Sequence, residues 1–204
     1  SPINQCGAGP EPRAVRIGYA GTNPARYTDL FAQPFVFVDV VDALDPAIRV
    51  ACTRKTFPGG RRLSQIAVRA GGAILHRLGL SETLLVFPEH RNFMAGDTFE
   101  SIAARLRHAA PEKKIVIEVA SVADAIAAVE AGFDVIQLEK MQPSDVALVA
   151  SAASARAQPP VVAAAGGIGP HNAGAYVKAG ARLLVTSWPY TARPADVAVT
   201  IRPI

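Results

Sequence analysis

Thr53-Arg54-Lys55-Thr56, followed by Pro58-Gly59, sets a guanidinium fork and an ammonium side by side ahead of a turn. An Arg fork grips a carboxylate or phosphate with two hydrogen bonds, and a neighbouring Lys adds a point charge. The pair could therefore form an anion clamp, although an ordinary solvated basic turn has the same composition. His76-Arg77 offers a second cationic pair, where the histidine could equally meet the last carbonyls of a helix. Glu118 interrupts one apolar run and Glu139 ends another. Two carboxylates on one rim could bind Mg2+ with a pyrophosphate, because a hard cation takes oxygen ligands and tolerates intervening waters. They could also be paired with Arg54, Lys55 or Lys140. Ala165-Gly166-Gly167-Ile168-Gly169 leaves backbone N–H groups open after an apolar run, and Thr186-Ser187 adds two hydroxyls at the end of another. Glycine admits close approach by a phosphate, or simply permits a turn. The chain has no CxxC, HExxH or GxSxG, so structural zinc, zincin chemistry and the usual serine hydrolase arrangement lack support.

These residues need elements to bring them together. Short apolar runs predict six strands, at Ile48 to Thr53, Thr83 to Phe87, Ile115 to Val119, Asp134 to Leu138, Val161 to Ala165 and Leu183 to Thr186. Between them, helical spacing predicts helices over Arg62 to Leu78, Phe99 to Ala109, Ser144 to Ala155 and Asn172 to Lys178. In the first of these, Leu63, Ile66, Ala67, Ala70, Ile74 and Leu78 can face a sheet. Ser121 with Asp124 reads as a helix N-cap, opening an Ala-rich helix that Ala131-Gly132 closes. The phrases 131–136 and 179–184 look like one helix-to-strand junction used twice. Alternating strands and helices predict parallel βα units, with the polar strand ends converging on one rim. Periodicity alone does not choose between a barrel and a doubly wound sheet. Residues 1–45, with a strand-like Phe35 to Val41, are left unassigned as an edge strand or dimer arm; 46–204 form the α/β domain.

Composition narrows the function. Of 204 residues, 50% are apolar and 19% charged, which describes a well-buried globular chain. The net charge is +4, but Arg49, Arg54, Lys55, Arg61, Arg62, Arg69 and Arg77 fall between Pro46 and Ser81 without a single Asp or Glu. Such a block needs anions or solvent to accept it. It lacks interleaved aromatics, which argues against nucleic acid as the partner. Two cysteines, Cys6 and Cys52, do not make a disulfide framework, and a reduced, cytoplasmic setting is the simpler expectation. No signal peptide or membrane-length apolar run is present.

Several of these runs occur together in a known family. Residues 51–59, 70–81 and 85–90, then Ile117-Glu118-Val119, residues 136–140, residues 165–168 and Val185-Thr186-Ser187, closely resemble the ModD-type, molybdenum-associated pyrophosphorylase-like branch of the quinolinate phosphoribosyltransferase (nicotinate-nucleotide pyrophosphorylase) family. The resemblance covers roughly residues 46 to 204 and rests on many motifs in one order. It implies an incomplete (β/α) barrel, normally preceded by an α/β sandwich domain, in homodimers whose sites use both subunits. The implied reaction joins a pyridine dicarboxylate to phosphoribosyl pyrophosphate, releasing pyrophosphate and carbon dioxide with Mg2+. By position, Arg54, His76 and Arg77 would hold the aromatic acid, and Lys55 would lie where the two substrates meet. Glu118 and Glu139 would lie near the ribose and metal-pyrophosphate, with Lys55 as the catalytic group and the two glutamates as catalytic or metal-binding ones. Gly166, Gly167, Thr186 and Ser187 would hold the 5′-phosphate.

The chain departs from the biosynthetic pattern at Phe87, where a substrate-contacting Lys is usual, at Glu139 for an aspartate and at Ala165 for a serine. An acceptor other than quinolinate is therefore expected, an aromatic or small anionic molecule. The sandwich domain is missing from the stretch before the Arg-Lys motif, so a truncated or repurposed homologue, or a non-catalytic phosphate- or anion-binding protein, is the alternative. No nucleic-acid partner and no membrane insertion are expected.

Overall fold

The computed structural model describes residues 37–191 apart from positions 57, 80 and 81. A helix, α1 (37–42), leads into β1 (Arg49–Cys52) and α2 (Arg61–Ala70), then β2 (Ile74–Leu75) and β3 (Leu84–Val86). The short α3 (Pro88–Arg91) precedes α4 (Phe99–Ala109), β4 (Ile115–Val119), α5 (Val122–Glu130) and β5 (Val135–Glu139). The described chain ends through α6 (Pro143–Ser154), β6 (Val161–Ala165), α7 (Ala173–Lys178), β7 (Leu183–Thr186) and α8 (Trp188–Thr191).

All seven strands are parallel and lie in the order β2-β1-β7-β6-β5-β4-β3. That order is the chain order written around a circle: β1 bonds to β7 as well as to β2, and among the described residues only the β2–β3 junction is open. A doubly wound sheet would reverse direction at a central strand instead. The fold is an open, curled barrel, an incomplete (β/α) barrel of the kind the resemblance implies.

Parity along each strand sorts the side chains. Ile115, Ile117 and Val119 of β4, Ile136 and Leu138 of β5, Val162 and Ala164 of β6 and Leu184 of β7 join the helices in the main core. Ala51, Ala163, Ala165 and Val185, one residue out of phase, form a second cluster with Val135 and Leu183 on the other face. Period-two alternation therefore puts Thr53, Glu118, Gln137, Glu139 and Ser187 on that inner face too. Its alanines are too small to fill it, which leaves room at the rim.

All six predicted strands hold to within a residue at each end, with Ile115–Val119, Val161–Ala165 and Leu183–Thr186 matching at both ends, as the helix Phe99–Ala109 does. The Ser121 cap forms, its Oγ accepting from Asp124 N at 3.1 Å. The repeated junction is real: Ala131 N bonds to Ala127 O and Gly132 N to Val129 O, as Ala179 N does to Ala175 O and Gly180 N to Val177 O.

Two expectations are corrected. The helix predicted to run from Arg62 to Leu78 stops at Ala70; the chain turns at Gly71-Gly72, and Ile74–Leu75 becomes a seventh strand beside β1. Ile74 and Leu78 keep helical spacing, but Gly72 takes a φ of 79° and breaks the turn. The buried residues of α2 are Ser64, Ala67 and Val68, while Leu63 and Ile66 are exposed. The strand-like Phe35 to Val41 is helical over its described part, residues 37–42. Helical spacing turns Phe37 and Val41 to one side, and both are completely buried in the main core.

Candidate active site

At the carboxyl ends of the strands lies a cavity of about 880 Å³. β1 delivers Thr53, Arg54 and Lys55 to it, β2 delivers His76 and Arg77, β4 and β5 deliver Glu118, Gln137, Glu139 and Lys140, and β6 and β7 deliver Gly166, Gly167 and Ser187. Leu85, Phe87 and Trp188 supply apolar wall, and Glu89 closes the β3 side.

The cationic side is held by backbone bonds that tie adjacent strands. Thr53 N donates to Thr186 O at 2.8 Å and His76 N to Cys52 O at 2.9 Å. Tyr190 Oη donates to Thr53 O at 2.9 Å, so the residue before the Arg-Lys pair is pinned from above. Burial, and then the neighbouring Cys52, raise the Tyr190 phenol well above its ordinary range, keeping it a donor. Beneath it, burial pushes the Cys52 thiol up to about 12.

Among the described residues, none of Arg54, Lys55 and Arg77 makes an ion pair. Burial and then the Arg54 guanidinium hold the Arg77 pKa below its ordinary value. Arg77 also lies over the Phe87 ring, 5.5 Å from its centroid. Burial lowers the His76 pKa, Arg77 lowers it further, and the Gln137 side chain acts weakly in the opposite sense. The imidazole is thus biased toward its neutral form. It does not cap a helix, because the helix has ended before it.

Across the cavity the charge is reversed. Glu118 and Gln137 face one another in register, and Gln137 Nε2 donates to Glu118 Oε2. Burial raises the Glu118 pKa most, and Glu139 and Glu89 raise it further; Gln137 and Lys55 pull the other way. Neither glutamate forms an ion pair with Arg54, Lys55 or Lys140 among the described residues. Two carboxylates on neighbouring strands, which Lys55 only partly offsets and which form no ion pair among the described residues, are oxygen donors of the kind a hard divalent ion takes. No cluster of three acidic, His or Cys ligands occurs among the described residues, so the protein alone offers no closed metal cage.

The glycine loop meets the carboxylates. Lys140 N donates to Ala165 O at 2.8 Å, and Lys140 adopts a φ of 56°, rare for a residue with a side chain. Gly166 has a φ of 84°, and a Cβ there would lie 2.5 Å from Lys140 Cγ and 2.8 Å from Glu139 Oε1. Only glycine lets the two loops interlock. Gly167, with φ 80°, has nothing within 4 Å of where its Cβ would be, so its outer side is open. Asn172 locks the loop from behind, accepting from Gly169 N at 2.9 Å and donating to Gly167 O at 3.0 Å.

Thr186 and Ser187 part company. Thr186 is 3% exposed and points toward the helices; its hydroxyl donates to Ile168 O at 2.6 Å and accepts from Trp188 N at 2.9 Å. Ser187 lines the cavity, with its Oγ 2.6 Å from Thr53 Oγ1. Of the ten residues singled out from the sequence, nine line one cavity, and Thr186 supports the loop from outside it. Sequence reasoning missed Gln137, whose signal was a polar side chain two residues before Glu139 in an otherwise apolar strand. It also missed Trp188, which packs edge-on against Phe37 with ring centroids 6.1 Å apart.

Comparison with known proteins gives a consistent result. The family model for the C-terminal domain of quinolinate phosphoribosyl transferase matches residues 35–200. ModD of Rhodobacter capsulatus, a pyrophosphorylase by name, is 49% identical over 140 residues, covering 69% of this chain and 54% of that protein. Nicotinate-nucleotide pyrophosphorylase (carboxylating) of Rattus norvegicus is 30% identical over 145 residues, covering 71% and 48%. The solved nicotinate-nucleotide pyrophosphorylase of Francisella tularensis superposes with a TM-score of 0.72 at 20% identity, over 81% of this chain and 57% of that one. The chain spans about half the length of the curated relatives it matches.

Proposed function

The chain belongs to the quinolinate phosphoribosyltransferase family, and from that premise we propose that its cavity transfers a phosphoribosyl group from phosphoribosyl pyrophosphate to an aromatic or small anionic acceptor. In this transfer the bond from the ribose anomeric carbon to pyrophosphate breaks, the electron pair leaves with pyrophosphate, and the acceptor's nucleophilic atom bonds to that carbon. The observation that carries the reading is the facing arrangement of unpaired Arg54, Lys55 and Arg77 with Glu118, Glu139 and the Gly166-Gly167 loop around one cavity.

Each group has a role that its chemistry fits. Arg54 and Arg77, with His76, hold the acceptor; Lys55 lies where the substrates meet and steadies departing negative charge. Gly167 N–H and the Ser187 hydroxyl receive the 5′-phosphate, while Gly166 and Thr186 shape that loop. Glu118 and Glu139 orient the ribose and share Mg2+, which, when bound, neutralises the pyrophosphate. Phe87 cannot pair with a carboxylate, which supports an acceptor different from a pyridine dicarboxylate. A homodimer that completes the site and a role in molybdenum handling belong to the same reading, through the likeness to ModD.

The test is calorimetric titration with phosphoribosyl pyrophosphate, with and without Mg2+, on the wild type and on Lys55→Ala. The expected result is metal-dependent binding that the substitution weakens roughly tenfold or more, followed by pyrophosphate release in an acceptor screen. Binding without release against any acceptor would favour an anion-binding protein. No binding in either condition would sink the assignment for this chain.

A further inference from the structure

Gln137 is 4% exposed, lies in mid-β5 with its side chain on the inner face, and lines the cavity. Its amide nitrogen faces Glu118 and donates to Oε2. The carbonyl Oε1 is thereby turned to the other side, where it is buried and has no hydrogen-bond partner. A buried acceptor left unpaired costs about 1–3 kcal/mol, so a donor is expected to meet it.

The candidate donor is the His76 imidazole, which lines the same cavity and whose charged form the Gln137 side chain favours. A neutral imidazole has one N–H and one lone pair. Burial and the neighbouring Arg77 both disfavour the charged ring. If the single N–H is given to Gln137 Oε1, the other ring nitrogen presents its lone pair to the cavity. A carboxylate would be repelled by that lone pair, whereas a ligand O–H or N–H would satisfy it. Arg54 and Arg77 remain unpaired beside it for an anionic group, and Leu85 and the Phe87 ring form a flat apolar wall.

We propose that Gln137 is a positioning residue that fixes His76 as a hydrogen-bond acceptor toward the cavity, so that this end of the site takes a flat anion bearing an O–H or N–H donor beside its anionic group. The inference deepens the reading of this cavity as the acceptor end of a transferase site and rests on it. It replaces a simple anion contact by His76 with recognition of a donor.

The tautomer is read directly from long-range proton–nitrogen correlation spectra of the uniformly labelled chain, with His76→Asn identifying the resonance. At neutral pH the wild type is expected to show neutral His76 in one tautomer. Gln137→Leu, isosteric enough for an apolar strand, should give a tautomer mixture. Gln137→Glu should move the His76 titration upward by about one pH unit; should the leucine variant not fold, this reversed shift carries the test. Benzoate, meta-hydroxybenzoate and phthalate then probe the ligand. The hydroxylated anion should bind the wild type about tenfold more tightly than either of the others, and the preference should vanish in Gln137→Leu. A His76 tautomer indifferent to both substitutions overturns the proposal, as does equal or absent binding of the three probes. Failure of phosphoribosyl pyrophosphate to bind, with the tautomer as expected, would count only against the transferase reading.

Discussion

The side-chain oxygens of Thr53 and Ser187 lie 2.6 Å apart across the junction of the first and last strands. The first and last strands in chain order are therefore bonded at the rim, next to the cationic pair that follows Thr53. One residue earlier, Thr186 uses its hydroxyl in the opposite direction, on Ile168 O and Trp188 N. Adjacent hydroxyls thus have separable roles. Thr186→Val should cost about 1–3 kcal/mol in urea unfolding, since it strands a buried carbonyl and an N–H. Ser187→Ala should change stability by less than about 1 kcal/mol while weakening phosphoribosyl pyrophosphate binding roughly tenfold. Equal losses of stability in the two variants would contradict this division.

Gly166 and Gly167 make a similar pair. Both have positive φ, but only at Gly166 would a Cβ strike backbone, 2.8 Å from Lys140 N. Gly167→Ala should therefore cost only the backbone term, about 1–2 kcal/mol. Gly166→Ala should cost at least about 1–3 kcal/mol beyond it, because Lys140 is already in a strained conformation and cannot retreat freely. Urea midpoints of the two alanine variants decide it.

Much of this geometry was readable beforehand, for a definite reason. Ile115–Val119, broken only by Glu118, Val161–Ala165 and Leu183–Thr186 are short apolar runs between turn residues, so their limits follow from local chemistry. The end of α2 was not readable, because Ile74 and Leu78 continue the helical spacing and only the conformation at Gly72 reveals the break. The aromatic and β-branched run of Phe35 to Val41, broken only by Asp39, suits a strand; tertiary burial of Phe37 and Val41 together selects the helix. At the site, period-two parity from Val185 would have separated Ser187 from Thr186, and parity from Glu139 would have found Gln137. The approach of Glu139 to Gly166 depends on how two loops meet, which no local pattern encodes.

Glu118 gives the pH dependence. Its carboxyl, buried beside Glu139, sits above its ordinary value of 4.5 and so holds its proton more tightly folded than unfolded. Its favourable contribution is full below 4.5 and is lost as pH rises through the higher folded value. Glu118→Gln keeps an acceptor for Gln137 Nε2 and removes the charge. The ligand-free variant should melt above the wild type at neutral pH, with the gap closing as pH falls toward 4.5, in thermal scans across that range. A gap that widens on acidification would reverse the sign and the account of the site with it.

Arg54 and Arg77 supply the converse case. Burial, and then the Arg54 guanidinium, lower the Arg77 pKa, so the two like charges weaken the empty site and an anion relieves them. Arg54→Met keeps much of the stem's apolar contact while deleting the charge. Its ligand-free melting temperature should therefore equal or exceed that of the wild type. With meta-hydroxybenzoate at about a hundredfold excess over Kd, linkage stabilises the wild type by about 2.7 kcal/mol, a rise of roughly 5–10 °C for a chain of this size. The variant should lose most of that rise, because the fork that would receive the anion is gone while the fold is intact. A variant that melts lower when empty, yet rises as far with that anion, would place Arg54 in the structural frame and outside the anion clamp.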